Sequence, residues 1–219
     1  MSAVQGTDDT HRGHDHSRTF QADHDDALTY YRVLEVAVRE LLIEKGILSA
    51  ADIQRQIEHM DSLGVAQGAR VVARAWVDSA FRARLLADAL AAVAELGIDY
   101  GDVNVLVAVE NTATVHNVVV CTLCSCYPRP LLGFPPAWYK SREYRSRVAN
   151  EPRQVLAEFG MVLGDGIALR VHDSTADLRY IVLPMRPAGT DGWSEERLAT
   201  LVTRDSLIGV ARALAAGHA

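Results

Sequence analysis

All three cysteines of the chain fall within one short stretch, Val120-Cys121-Thr122-Leu123-Cys124-Ser125-Cys126. A scattered trio would read as small buried apolar residues. A cluster reads as a task for sulfur. Cys126 can bind a metal through its thiolate and its own deprotonated backbone nitrogen, closing a five-membered ring. The backbone nitrogen of Ser125 closes a second such ring with that of Cys126, and the Cys124 sulfur closes a six-membered ring with the Ser125 nitrogen. Cys-Ser-Cys is thus a planar S–N–N–S chelate, of the square or tetragonal kind that suits thiolate and nitrogen donors. Cys121, three residues back, can fold over as an axial thiolate. The loop then offers five donors and leaves a sixth position open for water or substrate.

Three other uses of the cysteines compete. Structural zinc wants a tetrahedron, usually from two separated loops, and no second Cys/His pair follows downstream. Cys121-Thr122-Leu123-Cys124 has the spacing of a redox pair, but it follows Val118-Val119-Val120 without the rest of a thioredoxin-like pattern. Reduced core cysteines are the third reading. Spacing favours a metal claw and leaves the redox and core readings open.

Composition narrows the rest. The 219 residues suit one domain, with room for an N-terminal extension. Apolar residues make up 49% and charged residues 23%, as in ordinary globular proteins. A net charge of −6 removes the bulk electrostatic case for nucleic acid or anionic membrane as partners. No apolar run approaches the roughly 20 residues of a membrane span, and Met1-Ser2-Ala3-Val4-Gln5 leads into polar residues rather than a signal-peptide core. The expected location is the cytoplasm, where free thiols persist as metal ligands.

The elements that position the cluster follow from periodicity. Residues 1–25 hold His11, His14, His16 and His24 among polar residues and read as a disordered tail with weak metal-binding capacity. Residues 27–45 read as a helix with Leu34, Val38, Leu41 and Leu42 as its apolar stripe. Ser49 can cap a second helix with Asp52 three residues on; it runs through Ile53, Ile57 and Met60 towards Gly64, with His59 beside its stripe and solvated. Residues 66–95 suit one or two more helices, with Trp76, Phe81, Leu85, Leu86 and Leu90 inward. Near residue 100 the period changes. Val103, Val105 and Val107 alternate in a strand, and Val115–Val120 forms a second one that runs straight into the cysteines. The cluster therefore sits at a strand end, where a rigid element positions a loop. Pro128, Pro130, Pro135 and Pro136 make the exit stiff irregular chain.

Arg142, Arg145, Arg147 and Arg153 read as a solvated or interface face. Pro152 opens a short helix ended by Gly160. Residues 167–171 and 178–183 are two more strands, Ser194 caps a last helix, and 211–219 is a frayed tail. The fold class is α+β: a helical N-terminal arm, then a compact domain with a small sheet and irregular layers. The expected division is 1–25 tail, 26–98 helical arm, 99–212 metal-binding catalytic domain and 213–219 tail.

Val-Cys-Thr-Leu-Cys-Ser-Cys resembles the metal claw of the nitrile hydratase α subunit, and the resemblance spans residues 30–210. It is carried by Val109-Glu110-Asn111-Thr112, Val115-His116-Asn117, Gly133-Phe134-Pro135-Pro136-Ala137-Trp138-Tyr139-Lys140, Arg179-Tyr180-Ile181-Val182-Leu183-Pro184 and Thr203-Arg204-Asp205-Ser206. The family also includes the metal-binding subunits of thiocyanate hydrolase and of toyocamycin nitrile hydratase. The resemblance implies metal ligation by Cys121, Cys124, Ser125 and Cys126. Thr122 after the first cysteine implies low-spin Co(III) in preference to iron. It also implies a sulfinic acid at Cys124 and a sulfenic acid at Cys126, successive rungs of the cysteine oxidation ladder, with Cys121 left as a thiolate. The implied partners are a β-type subunit, whose arginines hold the added oxygens and which the N-terminal arm embraces, and a metal-delivery activator protein. The implied activity is nitrile hydration: the C≡N nitrogen is polarised at the open site, and an oxygen, of the Cys126 sulfenate or of water, attacks carbon to give an amide. An arm packed on its own domain is the alternative to the embrace.

Two departures from the family pattern, at Arg129 and Asp102, bear on the substrate. Arg129 stands where many nitrile hydratases have a pocket Trp; a guanidinium suits an anion or polar substrate better than a small apolar nitrile. It reads equally as an interface residue. Asp102 falls about where the family has a Gln near the metal pocket. Asp177 and Arg179 lie near a family acid–arginine pair and read equally as a cross-strand salt bridge. The leading expectation is a cobalt nitrile hydratase subunit with Cys124, Cys126 and Arg129 at the reacting site, bulky polar nitriles such as nucleosides among its candidate substrates. The alternative is the thiocyanate hydrolase subunit, which gives carbonyl sulfide and ammonia. A cobalt carrier without turnover is the non-enzymatic reading.

Overall fold

The computed structural model describes residues 30–101 and 105–218. The expectations for the His-rich tail, Asp102 and Val103 fall outside the described residues. The first helix, α1 (Tyr30–Glu44), carries the expected stripe yet buries none of its residues. The second, α2 (Ala50–Ser62), begins with a reciprocal cap: the Ser49 side chain accepts from the Asp52 N–H, and the Asp52 carboxylate accepts from the Ser49 N–H at 2.8 Å. It too buries no residue.

Residues 66–95 form three helices rather than one or two: α3 (Ala66–Val77), α4 (Ser79–Ala87) and α5 (Ala89–Glu95). The breaks fall at Asp78 and Asp88, whose side chains accept from the N–H groups of Phe81 and Ala91. Each aspartate ends one helix and caps the next. Phe81 and Leu85 are buried as expected, and Trp76 and Leu90 pack partly buried against the core. Leu86 is exposed instead, because one step along a helix turns the side chain by about 100° away from Leu85. The Trp76 indole N–H donates to the Pro184 carbonyl at 2.8 Å, joining α3 to the strand region.

Four strands follow: β1 (Val105–Glu110), β2 (Val115–Val120), β3 (Ala168–Asp173) and β4 (Leu178–Leu183). They make two parallel pairs rather than one sheet, β1 with β4 and β2 with β3. Parallel pairing needs a long crossover between strands. The β2-to-β3 crossover is the segment that carries the cysteines. It also folds the proline-rich stretch into two short turns of helix, α6 (Arg129–Leu132) and α7 (Ala137–Lys140), where irregular chain was expected. Next come α8 (Arg142–Asn150) and α9 (Pro152–Glu158), the latter with its proline at the first position. The arginine run is not simply a solvated face. Arg147 on α8 is buried and meets Glu143 at 3.4 Å, Glu151 at 2.7 Å and Glu158 at 2.5 Å.

Ser194 caps α10 (Glu195–Ala199), but this is not the last helix. A further one, α11 (Arg204–Ile208), opens with a cap between Thr203 and Ser206. It ends at Gly209 with φ +91°, where a Cβ would collide with the Asn117 carbonyl of β2. Only glycine lets α11 close onto that strand. The chain end is not wholly frayed: the Leu214 N–H donates to the Leu201 carbonyl at 2.8 Å, and Ala216–His218 makes a 3-10 turn. The core joins α3–α5 to β2, β4, α6–α9 and α11 through residues such as Phe81, Val118, Leu132, Tyr144, Leu156, Ile181 and Leu207. Among the described residues, no helix is long and apolar enough to cross a membrane.

Candidate metal centre

Register places the site. β2 and β3 run parallel with Val120 opposite Asp173, so their carboxyl ends open together. The cysteines leave from one end and Asp173 stands at the other. Cys121 is 1% exposed, Cys126 is half-buried and Cys124 is exposed. The sulfurs converge: Cys121 Sγ to Cys124 Sγ is 3.4 Å, Cys124 Sγ to Cys126 Sγ is 3.1 Å, and all three lie within 4.8 Å of one another. The Cys124 N–H also donates to Cys121 Sγ at 3.3 Å. The three are free thiols. Burial among apolar residues fits Cys121 alone.

The loop has no helical or strand ladder, so its backbone groups must find other partners. Asp173 accepts from the Thr122 N–H at 2.9 Å and from the Thr122 hydroxyl at 2.6 Å. The Tyr139 hydroxyl donates to the Cys126 carbonyl at 2.9 Å, and the Tyr144 hydroxyl to the Val119 carbonyl at 2.8 Å. The Ser174 N–H donates to the Val120 carbonyl at 2.7 Å. These contacts grip the loop before, within and after the cysteines, while Leu123 at its tip is 85% exposed. The rings of Tyr127 and Tyr139 meet edge to face at 5.1 Å behind it.

The thiols are not equivalent. Cys124 titrates below the ordinary thiol value, because the Cys126 and Cys121 thiols and the backbone N–H groups of Cys126 and Ser125 stabilise its thiolate. Cys126 is pushed up to about 12, chiefly by burial and then by its hydrogen bond to Cys124. Cys124, Ser125 and Cys126 are consecutive, so their sulfurs and the Ser125 and Cys126 amides lie along one short stretch of backbone. The same residues can present two sulfurs and two amide nitrogens to one centre once those nitrogens are deprotonated. The soft donor set and its convergence fit a thiolate-binding transition metal.

The loop forms one wall of a cleft of about 730 Å³. Cys124, Ser125 and Cys126 line it with Arg129, Arg179 and Tyr100. Arg129 therefore shares the cleft with the thiols, though it is exposed and its guanidinium sits 5.9 Å from the centre of the Phe134 ring. Arg179 reaches the cleft while donating to the Thr175 carbonyl. The backbone carbonyl of Asp177 accepts from the Val105 N–H at 3.0 Å, at the mouth of the β1–β4 pair. His59, at the end of α2, was read as merely solvated; it is exposed and also lines the cleft.

Sequence reading missed Asp173, Tyr139 and Tyr144 as supports of the loop. The parallel register that puts Asp173 beside the cysteines is a long-range pairing with no local signal. Tyr139 stands just after the proline-rich stretch, in a turn that was not foreseen, and Tyr144 stands on α8 within the arginine run.

The model of the nitrile hydratase α chain matches residues 29–211. The α subunit of the cobalt-containing nitrile hydratase of Pseudonocardia thermophila is 54% identical over 80% of this chain and 86% of its own length. The γ subunit of thiocyanate hydrolase from Thiobacillus thioparus is 47% identical over 83% and 79%. Among solved structures, a recombinant thiocyanate hydrolase with partially modified cobalt centres superposes with a TM-score of 0.80 at 44% identity, covering 87% of this chain and 93% of its own. A double mutant of the Fe-type nitrile hydratase from Comamonas testosteroni Ni1 gives 0.79 at 42%, covering 88% and 94%. The matched span takes in both strand pairs, the cysteine loop and its supports, and the chain belongs to the nitrile hydratase α-chain family.

Proposed function

We propose that this chain is the catalytic, metal-binding subunit of a cobalt nitrile hydratase, adding water across a C≡N bond to give an amide. The observation that carries the reading is the convergence of three free thiols within 4.8 Å of one another, two of which, Cys124 and Cys126, line one cleft. Cys121, Cys124 and Cys126 would hold the metal through sulfur, and Ser125 and Cys126 through their backbone nitrogens. A low-spin trivalent metal in this strong-field set supplies Lewis acidity towards a nitrile nitrogen. Cobalt is preferred to iron because Thr122 follows the first cysteine and cobalt-containing relatives match at about half identity; the Fe-type neighbour marks iron as the other candidate.

The chain's own residues then have definable tasks. Asp173, Tyr139 and Tyr144 hold the loop so that the donors stay in one arrangement. Cys124 and Cys126 carry the sulfinic and sulfenic oxygens in this reading. A β-type partner subunit covers the cleft and donates hydrogen bonds to those oxygens. Arg129 at the rim draws polar or anionic substrates. Hydration moves no electrons: one water adds, and its two protons end on the amide nitrogen. The location is cytoplasmic, where the unpaired cysteines stay available to a metal.

A second reading rests on Arg129 and Arg179, which both line the cleft. Two guanidiniums suit thiocyanate, and the thiocyanate hydrolase subunit is a close relative. The test is to produce the chain with its partner subunit and cobalt, then measure metal content, claw-peptide mass and turnover of a nitrile and of thiocyanate side by side. One cobalt per chain, gains of about 32 Da at Cys124 and about 16 Da at Cys126, and nitrile turnover are expected. Thiocyanate turnover alone would move the assignment to the second reading. Metal on three unmodified thiols without turnover would make the chain a carrier.

A further inference from the structure

The apolar stripe of α2 divides between two places. Ile53 and Ile57 line a shallow groove with Leu48 that holds no cysteine. Met60, the next member of the stripe, lines the cysteine cleft instead, together with Leu63, the residue that caps the helix. Both are half-buried, so each keeps surface that a molecule in the cleft can touch. Backbone contact fixes their place. Gly133, the residue that ends α6, has φ +73°, and a Cβ there would stand 2.5 Å from the Leu63 carbonyl oxygen and 3.1 Å from the Gly64 Cα. Only glycine admits that approach, so the end of α2 is seated on the end of α6. The start of α6, Arg129, follows Cys126 by three residues, and Arg129 and Pro130 line the same cleft. α6 is itself held to α11, where the Arg204 Nε–H donates to the Leu132 carbonyl at 3.1 Å.

α6 thus stands between the cysteine loop and the end of α2, and its four residues rise by about 6 Å. A nitrile whose C≡N group is held at the thiols touches Met60 and Leu63 only if it carries a body longer than a methyl group. It meets there a thioether and an isobutyl group, an apolar and adaptable surface that suits an aromatic ring. The cleft, of about 730 Å³, lies in the size range of sites that take such ligands. We propose that Met60 and Leu63 are specificity-determining residues that select nitriles with a flat apolar body of ring size over small aliphatic ones. This rests on the nitrile hydratase reading and names a substrate class for it. A polar substituent on such a ring would meet Arg129, which shares the cleft. Met60 and Leu63 touch the substrate away from the reacting carbon and take no part in water addition.

The test compares benzonitrile with acetonitrile on the cobalt-loaded complex, with the partner subunit at saturating concentration. Wild type should have the lower KM for benzonitrile. Met60→Ala should raise that KM by about tenfold with kcat little changed, and leave the acetonitrile KM within about twofold. Met60→Leu, which keeps most of the volume, should restore most of the loss. Ile57→Ala is the control: it lies one turn back on the same stripe but outside the cleft, and both KM values should stay within about twofold. Equal effects of Met60→Ala on both nitriles, or none on either, would overturn the proposal. So would an Ile57→Ala that matches Met60→Ala, since the effect would then act through the arm as a whole. A wild-type complex that hydrates acetonitrile but not benzonitrile would overturn this inference alone. One that hydrates neither would overturn the hydratase reading itself.

Discussion

The helical arm and the cysteine loop are opposite extremes of this molecule. α1 and α2 have regular backbone and well-formed apolar stripes, yet neither buries a residue; Leu34, Val38 and Leu41 are 43%, 46% and 48% exposed. The loop after β2 has no regular backbone, yet Asp173, Tyr139, Tyr144 and the Ser174 N–H hold it along its length. Regularity and determination are therefore different properties. A helical period shows that a face seeks burial, but not against what. A loop gripped by buried side chains is fixed by contacts that periodicity cannot show. The two regions meet where His59, Met60 and Leu63 at the end of α2 line the same cleft as the thiols. A partner that covers the arm's apolar face would also fix that wall of the cleft.

The sharpest separation comes from the cysteines themselves. Cys124→Ser should lower turnover of the loaded complex by roughly 10³-fold or more, the scale seen when one member of a catalytic unit is removed. Cobalt should be lost on dialysis. The metal-free chain should melt within about 0.5 kcal/mol of wild type, because Cys124 is exposed and fills no core space. A metal-free variant that unfolds would show the loop to be a structural element instead. The converse experiment is Leu156→Ala, a fully buried core position on α9 within the crossover. It should cost about 2–5 kcal/mol in denaturant unfolding, with the claw chemistry intact in the fraction that folds. A cost below about 1 kcal/mol would contradict the burial assigned to Leu156.

Asp173→Asn probes the grip rather than the sulfurs. It keeps the side chain's size but weakens the paired bonds to the Thr122 N–H and hydroxyl. Supports of this kind typically shift metal affinity or activity by about 10–100-fold, and cobalt retention against a chelator is the direct readout. Unchanged retention would mean that the tyrosines and the chelate rings hold the loop without it.

A smaller effect belongs to the base of β2. His116 is buried; its Nε2 contacts the Gly209 carbonyl at 2.7 Å and its Nδ1 the Asn111 amide at 3.2 Å. Burial lowers its pKa, opposed by the Gly209 bond and assisted by the Arg212 charge. The unfolded chain therefore binds more protons than the folded one as pH falls below the ordinary histidine range. His116 contributes stability that is present above that range and is lost as pH falls through its depressed folded value. His172 shifts in the same direction, again through burial. The melting temperature should drop by a few degrees between about pH 7.5 and pH 5.5, and the drop should shrink in His116→Gln. An equal drop in the variant would assign the slope to other groups.

Much of the site was legible because its chemistry is local. Cys121, Cys124, Ser125 and Cys126 are close in sequence, and five donors can be counted without knowing the fold. The strand leading into them was legible too, since Val115–Val120 is β-rich and its bounds match β2. The helix breaks at Asp78 and Asp88 were not, because an aspartate within an Ala- and Arg-rich run looks like a surface position until its side chain turns to cap the next helix. Nor was α11, whose five residues are too few to show a period. Arg147 was misread as solvated because its partners sit on two helices, Glu143 beside it on α8 and Glu158 at the end of α9. Parallel pairing hid the role of Asp173 in the same way: nothing near it in sequence announces a cysteine loop whose Thr122 lies 51 residues upstream.

The arm is where the smallest effect in the isolated chain should accompany a real effect in the assembly. Leu34→Ser with Leu41→Ser removes two members of the α1 stripe, both substantially exposed. In the chain alone this should change unfolding free energy by no more than about 0.5 kcal/mol, as surface substitutions do. If the stripe is the seat of a partner subunit, the same pair of changes should raise the dissociation constant of the complex by roughly 10-fold or more, since each leucine side chain buried on association contributes about 1.5–3 kcal/mol. Sedimentation or size-exclusion titration of the two subunits reads that constant directly. Destabilisation of the isolated chain would mean that the arm packs on its own domain in solution, the alternative the stripe also permits. Loss of assembly with an unaltered chain would show that α1 completes its hydrophobic face only across the interface. The contrast between arm and claw would then be one between a surface finished by a partner and a site held by its own fold.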